Sequence, residues 1–255
     1  MKICGLTQTY GDRNLELDVF LLNTQKIQAM NSVDHFRLNY HNSILNKKYN
    51  DLFSKQIKNI SFKNYDQVPY GYTIYSTLKE LKNDGYTDIL YMQDDHYFIQ
   101  HQNSSVIVND VINFYKSNNY PIVYFGQRFS KNSFNEESKK TEFNTYEIYD
   151  STSFPSHFYP YDDSPHLANI DFLLNTLYNP SMVHLDVWSL EIKNTNYFKS
   201  NKIYFASGTK PCSYCANFSG RNVAMAIPQQ EKIKYILGEK IDYDECKIFY
   251  DGLMD

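Results

Sequence analysis

Asp88–Phe98 reads DILYMQDDHYF, and the fold turns on how this stretch is understood. Ile89-Leu90-Tyr91-Met92 is a short, bulky apolar run, the pattern of a strand buried on both faces. It stops on Gln93-Asp94-Asp95-His96, two adjacent carboxylates followed by an imidazole. In an open α/β sheet, ligands bind beyond the carboxyl ends of the strands, so a strand ending in Asp-Asp aims its acids at a site. Neighbours on an extended chain face opposite ways, which gives the two acids different jobs. One can bind a hard cation such as Mn²⁺ or Mg²⁺ through oxygen, while the other accepts bonds from a sugar hydroxyl or from waters on that metal. The plain alternative is a solvated turn after a strand. His96 stands close enough to assist a metal, but His96 and His101 are more simply a strand-end and a loop residue.

The segments before this strand alternate in period. Residues 2–10, KICGLTQTY, form an expected first strand running into Thr7, Thr9 and Tyr10, with Gly11-Asp12-Arg13 after it. Such a turn suits a nucleotide: Tyr10 can stack on a base and Arg13 can reach phosphate, although an ordinary βα turn fits equally. No GxGxxG is present. Apolar positions at Leu15, Val19, Leu22 and Ile27 predict a helix over 15–30. His35–Tyr40 alternates as a second strand and ends on the polar cluster His41-Asn42-Ser43. Ser43 is placed to cap a helix over 44–58, followed by a third strand at 59–65 and a helix from 72 to 83 that stops at Gly85.

Strands alternating with helices imply a mostly parallel central sheet with helices on both faces. A helix over 105–117 and a fifth strand over 120–126 continue the pattern. Residues 130–145, rich in Ser, Asn, Glu and Lys, suggest a mobile loop or lid. Beyond a short strand at 146–149 and a Pro- and Tyr-rich loop over 151–165, helical spacing returns at 166–178, and 202–206 resembles a last strand. There is no internal repeat and no long linker, so the expectation is one α/β domain. Residues 1–129 would form a Rossmann-like half for nucleotide-sugar and metal, 130–165 a loop region, and 166–255 an acceptor-side half.

Composition excludes several classes. A net charge of −4 gives no field for a polyanion, so nucleic acid is not an expected partner. No apolar run reaches the ~18–20 residues that span a bilayer, so no transmembrane segment is expected. The start, MKICGLTQ, is too polar and short for a signal-peptide core. With four cysteines, the chain suits a reduced, cytoplasmic setting. Cys212-x-x-Cys215 lacks a second paired motif to complete a zinc site, and with Pro211 and Tyr214 in an expected loop it is better understood as structural thiols.

An acid pair closing the fourth strand of a βαβαβαβ half, about ninety residues in, resembles the GT-A nucleotide-sugar glycosyltransferases. Tyr91-Met92-Gln93-Asp94-Asp95-His96-Tyr97-Phe98 is similar to the DxD region of their family 2-type members, in its acid-acid form, and Thr9-Tyr10 resembles their entry strand. The resemblance covers roughly residues 2–126. It implies a metal-dependent transfer from a nucleoside-diphosphate sugar, UDP-sugar favoured, to a glycan or glycoprotein acceptor, inverting by direct displacement with a carboxylate base. It also implies Asp95 as the direct ligand of Mn²⁺ or Mg²⁺ with Asp94 beside it, and a nucleotide lying over Thr7, Thr9, Tyr10 and Arg13 with Asn42 near the base. The chain departs from the pattern at His41-Asn42, where an acid often contacts the base, and no clear Glu-Asp pair follows in the second half.

For the base, the second half offers Met182–Ile192, MVHLDVWSLEI, with the chain's single tryptophan. As a strand, His184, Asp186 and Trp188 share a face; as a helix, His184 and Trp188 do, at i,i+4. Asp186 is the candidate base by resemblance, with His184 as a third metal ligand or alternate base and Glu191 or Asp162-Asp163 behind them. The competing expectation is that Asp186 caps a helix. Two other functions compete with transfer: a metal-dependent phosphate-ester hydrolase or nucleotidyltransferase, and a non-catalytic nucleotide- or sugar-binding module.

Overall fold

The computed structural model describes residues 1–9, 14–41, 46–98, 103–126, 135–154, 160–161, 164–209 and 213–215. Strand β1 (Ile3–Thr9) is buried along its whole length, with β2 (His35–Tyr40) on one side and β4 (Asp88–Tyr91) on the other, both parallel. Strand β3 (Ile60–Asn64) extends this parallel set beyond β2. The remaining strands of the sheet are β6 (Ile122–Tyr124), β7 (Asn135–Lys140), β8 (Thr145–Asp150), β9 (His166–Asn169) and β10 (Tyr204–Gly208). The order is β3-β2-β1-β4-β9-β6-β10-β8-β7, and β8 and β9 run against the other seven. The mostly parallel sheet expected from sequence is therefore present.

Alternating side chains divide the interior into two cores. One face packs against α1 (Asn14–Leu22), α2 (Thr24–Met30), α3 (Asn46–Gln56) and α5 (Ser104–Asn118), through Phe20, Ala29, Phe53, Ile107 and Val111. The other packs against α4 (Tyr70–Asn83), α6 (Ile170–Asn175) and α7 (Val187–Ser200), through Ile74, Leu78, Leu173, Leu190 and Phe198. Both faces of β1 and β4 are covered, which is why their sequence is continuous in apolar character. At Gly85, φ is +83°, the left-handed conformation that glycine adopts freely as α4 ends.

Four elements differ from the sequence expectation. The helix over 15–30 is two helices, because Asn23 is extended and its side chain accepts the Lys26 N–H at 2.7 Å, capping α2. Residues 135–140 form a strand paired antiparallel with β8, where a mobile loop was expected; cross-strand bonds hold a polar sequence at the sheet's edge. The expected helix from 166 begins as β9, inserted antiparallel between β4 and β6, and only Asn169, accepting the Phe172 N–H at 2.9 Å, starts α6. Finally, Ser213–Cys215 is a strand, β11, paired antiparallel with β5 (His96–Phe98), so the backbone of Cys215 lies in a small sheet. Cys212 is outside the described residues. No helix among the described residues is long and apolar enough to cross a membrane.

Candidate functional site

The acid pair sits at the carboxyl edge of β4, beside the ends of β1 and β2, where crossover loops of a parallel sheet converge. It occupies a tight turn and not an extended strand end. The His96 N–H donates to the Gln93 carbonyl at 3.3 Å, and the Gln93 N–H donates to His96 Nδ1 at 3.2 Å. Asp94 and Asp95 are the two corners of that turn, only 0% and 3% exposed. A carboxylate so withdrawn from water needs donors or a cation around it.

Asp94 has a donor from β1: Thr9 Oγ1 donates to Asp94 Oδ2 at 2.6 Å. Two residues earlier, and on the same face of the strand, Thr7 Oγ1 donates to the Met92 carbonyl at 2.7 Å. Both threonine protons are thus committed to the neighbouring strand, so Thr7 and Thr9 fix the acid turn from beneath. Lys26 reaches the turn from α2. Its Nζ donates to the carbonyls of Gln93 and Asp94, at 2.7 and 2.8 Å.

Gln8 faces the opposite side of β1, and its Oε1 lies 3.2 Å from Nε2 of His41, just past the end of β2. The His41 ring stacks on Tyr70 at 6.1 Å. Burial pushes this imidazole down to about 4, with Asp66 pulling weakly the other way, so it is neutral at physiological pH. A neutral imidazole beside a glutamine amide is a hydrogen-bonding pair, not an ionic one, at the position where the resemblance leads one to expect an acid. Next to it, the hydroxyls of Tyr70 and Tyr91 meet at 2.6 Å.

The second-half candidates lie elsewhere. Asp186 is the N-cap of α7: its Oδ1 accepts the Ser189 N–H at 2.8 Å, and these main-chain donors hold the carboxyl below the usual carboxylate range. His184 is exposed. Among the described residues no three His, Cys, Asp or Glu side chains come together as a metal-binding group, so Asp94, Asp95 and His184 are not gathered into one. The capping alternative describes the place of Asp186 in the fold. Tyr10, Arg13, Asn42, His101, Asp162 and Asp163 lie outside the described residues.

Two oxygen donors nevertheless fit a hard divalent cation. Mg²⁺ and ions like it are commonly held by one or two carboxylates, completed by waters and by the phosphates of the substrate. Two open grooves among the described residues, about 610 and 500 Å³, are at the opposite edge of the sheet, around Tyr120, Pro121 and Phe172. They contain no adjacent acid pair, and chemistry in an α/β sheet is expected at the carboxyl edge. Lys26, Asn23 and Gln8 do not stand out in the sequence. The signal was there for one of them: a lysine amid the apolar positions of a helix is either snorkelling to water or committed to a buried partner.

No family model matches this sequence, and no curated protein matches it either. Solved structures do match in fold. S. aureus TarS aligns with a TM-score of 0.56 at 12% identity, over 85% of this chain and 37% of that one. Residues 1–349 of TarS in complex with UDP-GlcNAc align with a TM-score of 0.55 at 13% identity, over 100% of this chain and 70% of that one. The 4-diphosphocytidyl-2C-methyl-D-erythritol synthase of Anaerococcus prevotii aligns with a TM-score of 0.52 at 13% identity, over 93% and 97%. The chain therefore spans little more than a third of the TarS chain and nearly all of the synthase. Its fold is GT-A-like, a mixed α/β domain built on a large, mostly parallel central sheet, in common with these structures.

Proposed function

We propose that this chain is a metal-dependent glycosyltransferase domain that takes a sugar from a nucleoside-diphosphate sugar, UDP-sugar by preference, to a hydroxyl acceptor such as a glycan. The observation that carries this is the Asp94–Asp95 turn, which follows strand β4 of a GT-A-like sheet and is tied to β1 through Thr9. Complexes of TarS with UDP-GlcNAc support the donor class. Asp95 is assigned as the direct ligand of Mn²⁺ or Mg²⁺, with Asp94, oriented by Thr9, as the second oxygen donor. The nucleotide lies over the ends of β1 and β2, with Tyr10, Arg13 and Asn42 as its contacts. When bound, the cation would offset the charge that develops on the departing diphosphate. The acceptor hydroxyl also needs a proton acceptor, worth typically ~10²–10⁴-fold; Asp186, engaged as a helix cap, is assigned no part in that step.

A second function is favoured by one specific observation: the chain covers 97% of the Anaerococcus synthase but only 37% of TarS. A nucleotidyltransferase would join a nucleoside triphosphate to a phosphorylated substrate and release pyrophosphate. Incubation with UDP-sugars and Mn²⁺, against UTP or CTP with sugar phosphates, separates the two. Release of UDP supports glycosyl transfer, release of pyrophosphate supports the second function, and binding without turnover points to a binding module.

A further inference from the structure

We propose that Lys26 is the positioning residue of the acid turn, a fixed cation that holds Asp94 and Asp95 ready for the metal-bound diphosphate of a nucleotide. This rests on the nucleotide-binding function proposed above.

Lys26 is 0% exposed, a rare state for a lysine, because its ammonium gives up hydration that only strong partners replace. Among those partners are main-chain oxygens of the turn itself. The Gln93 carbonyl receives the His96 N–H and the Lys26 ammonium together, and the Asp94 carbonyl receives the ammonium as well. The rings of Phe20 and Tyr97 flank the ammonium, their centroids 4.0 and 4.8 Å away, and favour a cation at that spot. The lysine is itself immobilised, because Asn23 Oδ1 accepts its main-chain N–H.

The helices around Lys26 grip the same segment twice more. Asn23 Nδ2 donates to the Phe98 carbonyl at 3.2 Å, and the Tyr97 hydroxyl donates to the Glu16 carbonyl at 3.1 Å. The break between α1 and α2, which costs helix continuity, places Asn23 and Lys26 where they reach residues 93–98. With the carbonyls anchored toward α2 and Asp94 anchored by Thr9, the turn keeps one shape. A methionine would fill the same volume and supply neither the donors nor the charge.

The test measures UDP affinity of the full chain by calorimetry, with and without Mn²⁺, in the natural protein, Lys26→Met and Lys26→Arg, with folding checked by circular dichroism. Lys26→Met is expected to lose ~10–100-fold of the Mn²⁺-dependent gain in UDP affinity, the usual cost of removing a residue that orients metal ligands. Metal-free UDP affinity should stay within about twofold, which a merely structural role would not ensure. Lys26→Arg retains charge and donors, and a folded Lys26→Arg is expected to keep more of the gain than Lys26→Met does. A folded Lys26→Met with the full Mn²⁺-dependent gain overturns the proposal. If Lys26→Met does not fold, Lys26→Arg decides: a retained gain supports the role, and a lost gain in a folded protein overturns it. Absence of any Mn²⁺-dependent gain in the natural protein overturns both this role and the metal-dependent function it rests on.

Discussion

The hydroxyl of Thr9, at the end of β1, donates to Oδ2 of Asp94 in the turn that follows the neighbouring β4, at 2.6 Å, between residues that are both fully buried. Sequence distance hides this contact, and parallel pairing of β1 with β4 creates it. Thr9→Val keeps the shape and removes the donor, leaving a buried carboxylate oxygen short of a partner. The expected cost is ~1–3 kcal/mol of stability, read by urea denaturation, together with weaker metal-dependent UDP binding. Thr9→Ser should retain both. Equal stability in Thr9→Val and the natural protein would show that the bond contributes nothing.

Gly71 opens α4 against the loop that precedes α7, its N–H donating to the Leu185 carbonyl at 2.9 Å. A Cβ at this position would run into the Met182 carbonyl, a main-chain atom with little room to yield. Alanine gains ~1 kcal/mol in helix propensity over glycine, but overpacking typically costs ~1–3 kcal/mol. Gly71→Ala is therefore expected to lower the melting temperature, and a raised one would mean the loop moves aside easily.

The state of His41 gives stability a pH dependence of definite sign. Its imidazole titrates near 6.5 in the unfolded chain and near 4 when folded, because burial disfavours the charged form. Between those values the unfolded state binds more protons, so stability rises with pH. The contribution is full above about 6.5 and is lost as pH falls toward about 4. Melting temperatures across this window should fall less steeply in His41→Gln. Parallel curves for the two proteins would rule out His41 as the source.

How much of this was legible in the sequence follows period and locality. The β2 boundaries, the whole of β1, and the acid pair at the end of β4 are readable because buried parallel strands and their helices carry unmistakable periods. The strand β9 was not, since Leu167, Ala168 and Ile170 satisfy a helix as well as a strand, and only its insertion between β4 and β6 chooses. Residues 135–140 look like a loop by composition, because a polar edge strand is held by backbone bonds that side chains do not announce. In the site, Asp94 and Asp95 were visible as chemistry, whereas Thr9, Lys26 and Asn23 owe their roles to contacts made across dozens of residues. Asp186 shows the converse: an acid beside an aromatic invites a catalytic role, and its local geometry makes it a cap.

That cap has its own test. Asn is as good an N-cap as Asp, and Ala is far poorer. Asp186→Ala is expected to lower the melting temperature, Asp186→Asn to leave it nearly unchanged, and neither to reduce turnover beyond the loss of folded protein. A large fall in turnover for a fully folded Asp186→Asn would restore it as the base.

The most direct measurement is the thermal shift of the natural protein and Asp95→Asn with UDP, each with and without Mn²⁺. A ligand that binds only the folded state raises the melting temperature. The expected result is a UDP-dependent rise in the natural protein that Mn²⁺ enlarges, and in Asp95→Asn, at an unchanged ligand-free melting temperature, no enlargement by Mn²⁺. An equal Mn²⁺-dependent rise in both proteins would contradict the assignment of the Asp94–Asp95 turn as the metal-diphosphate site.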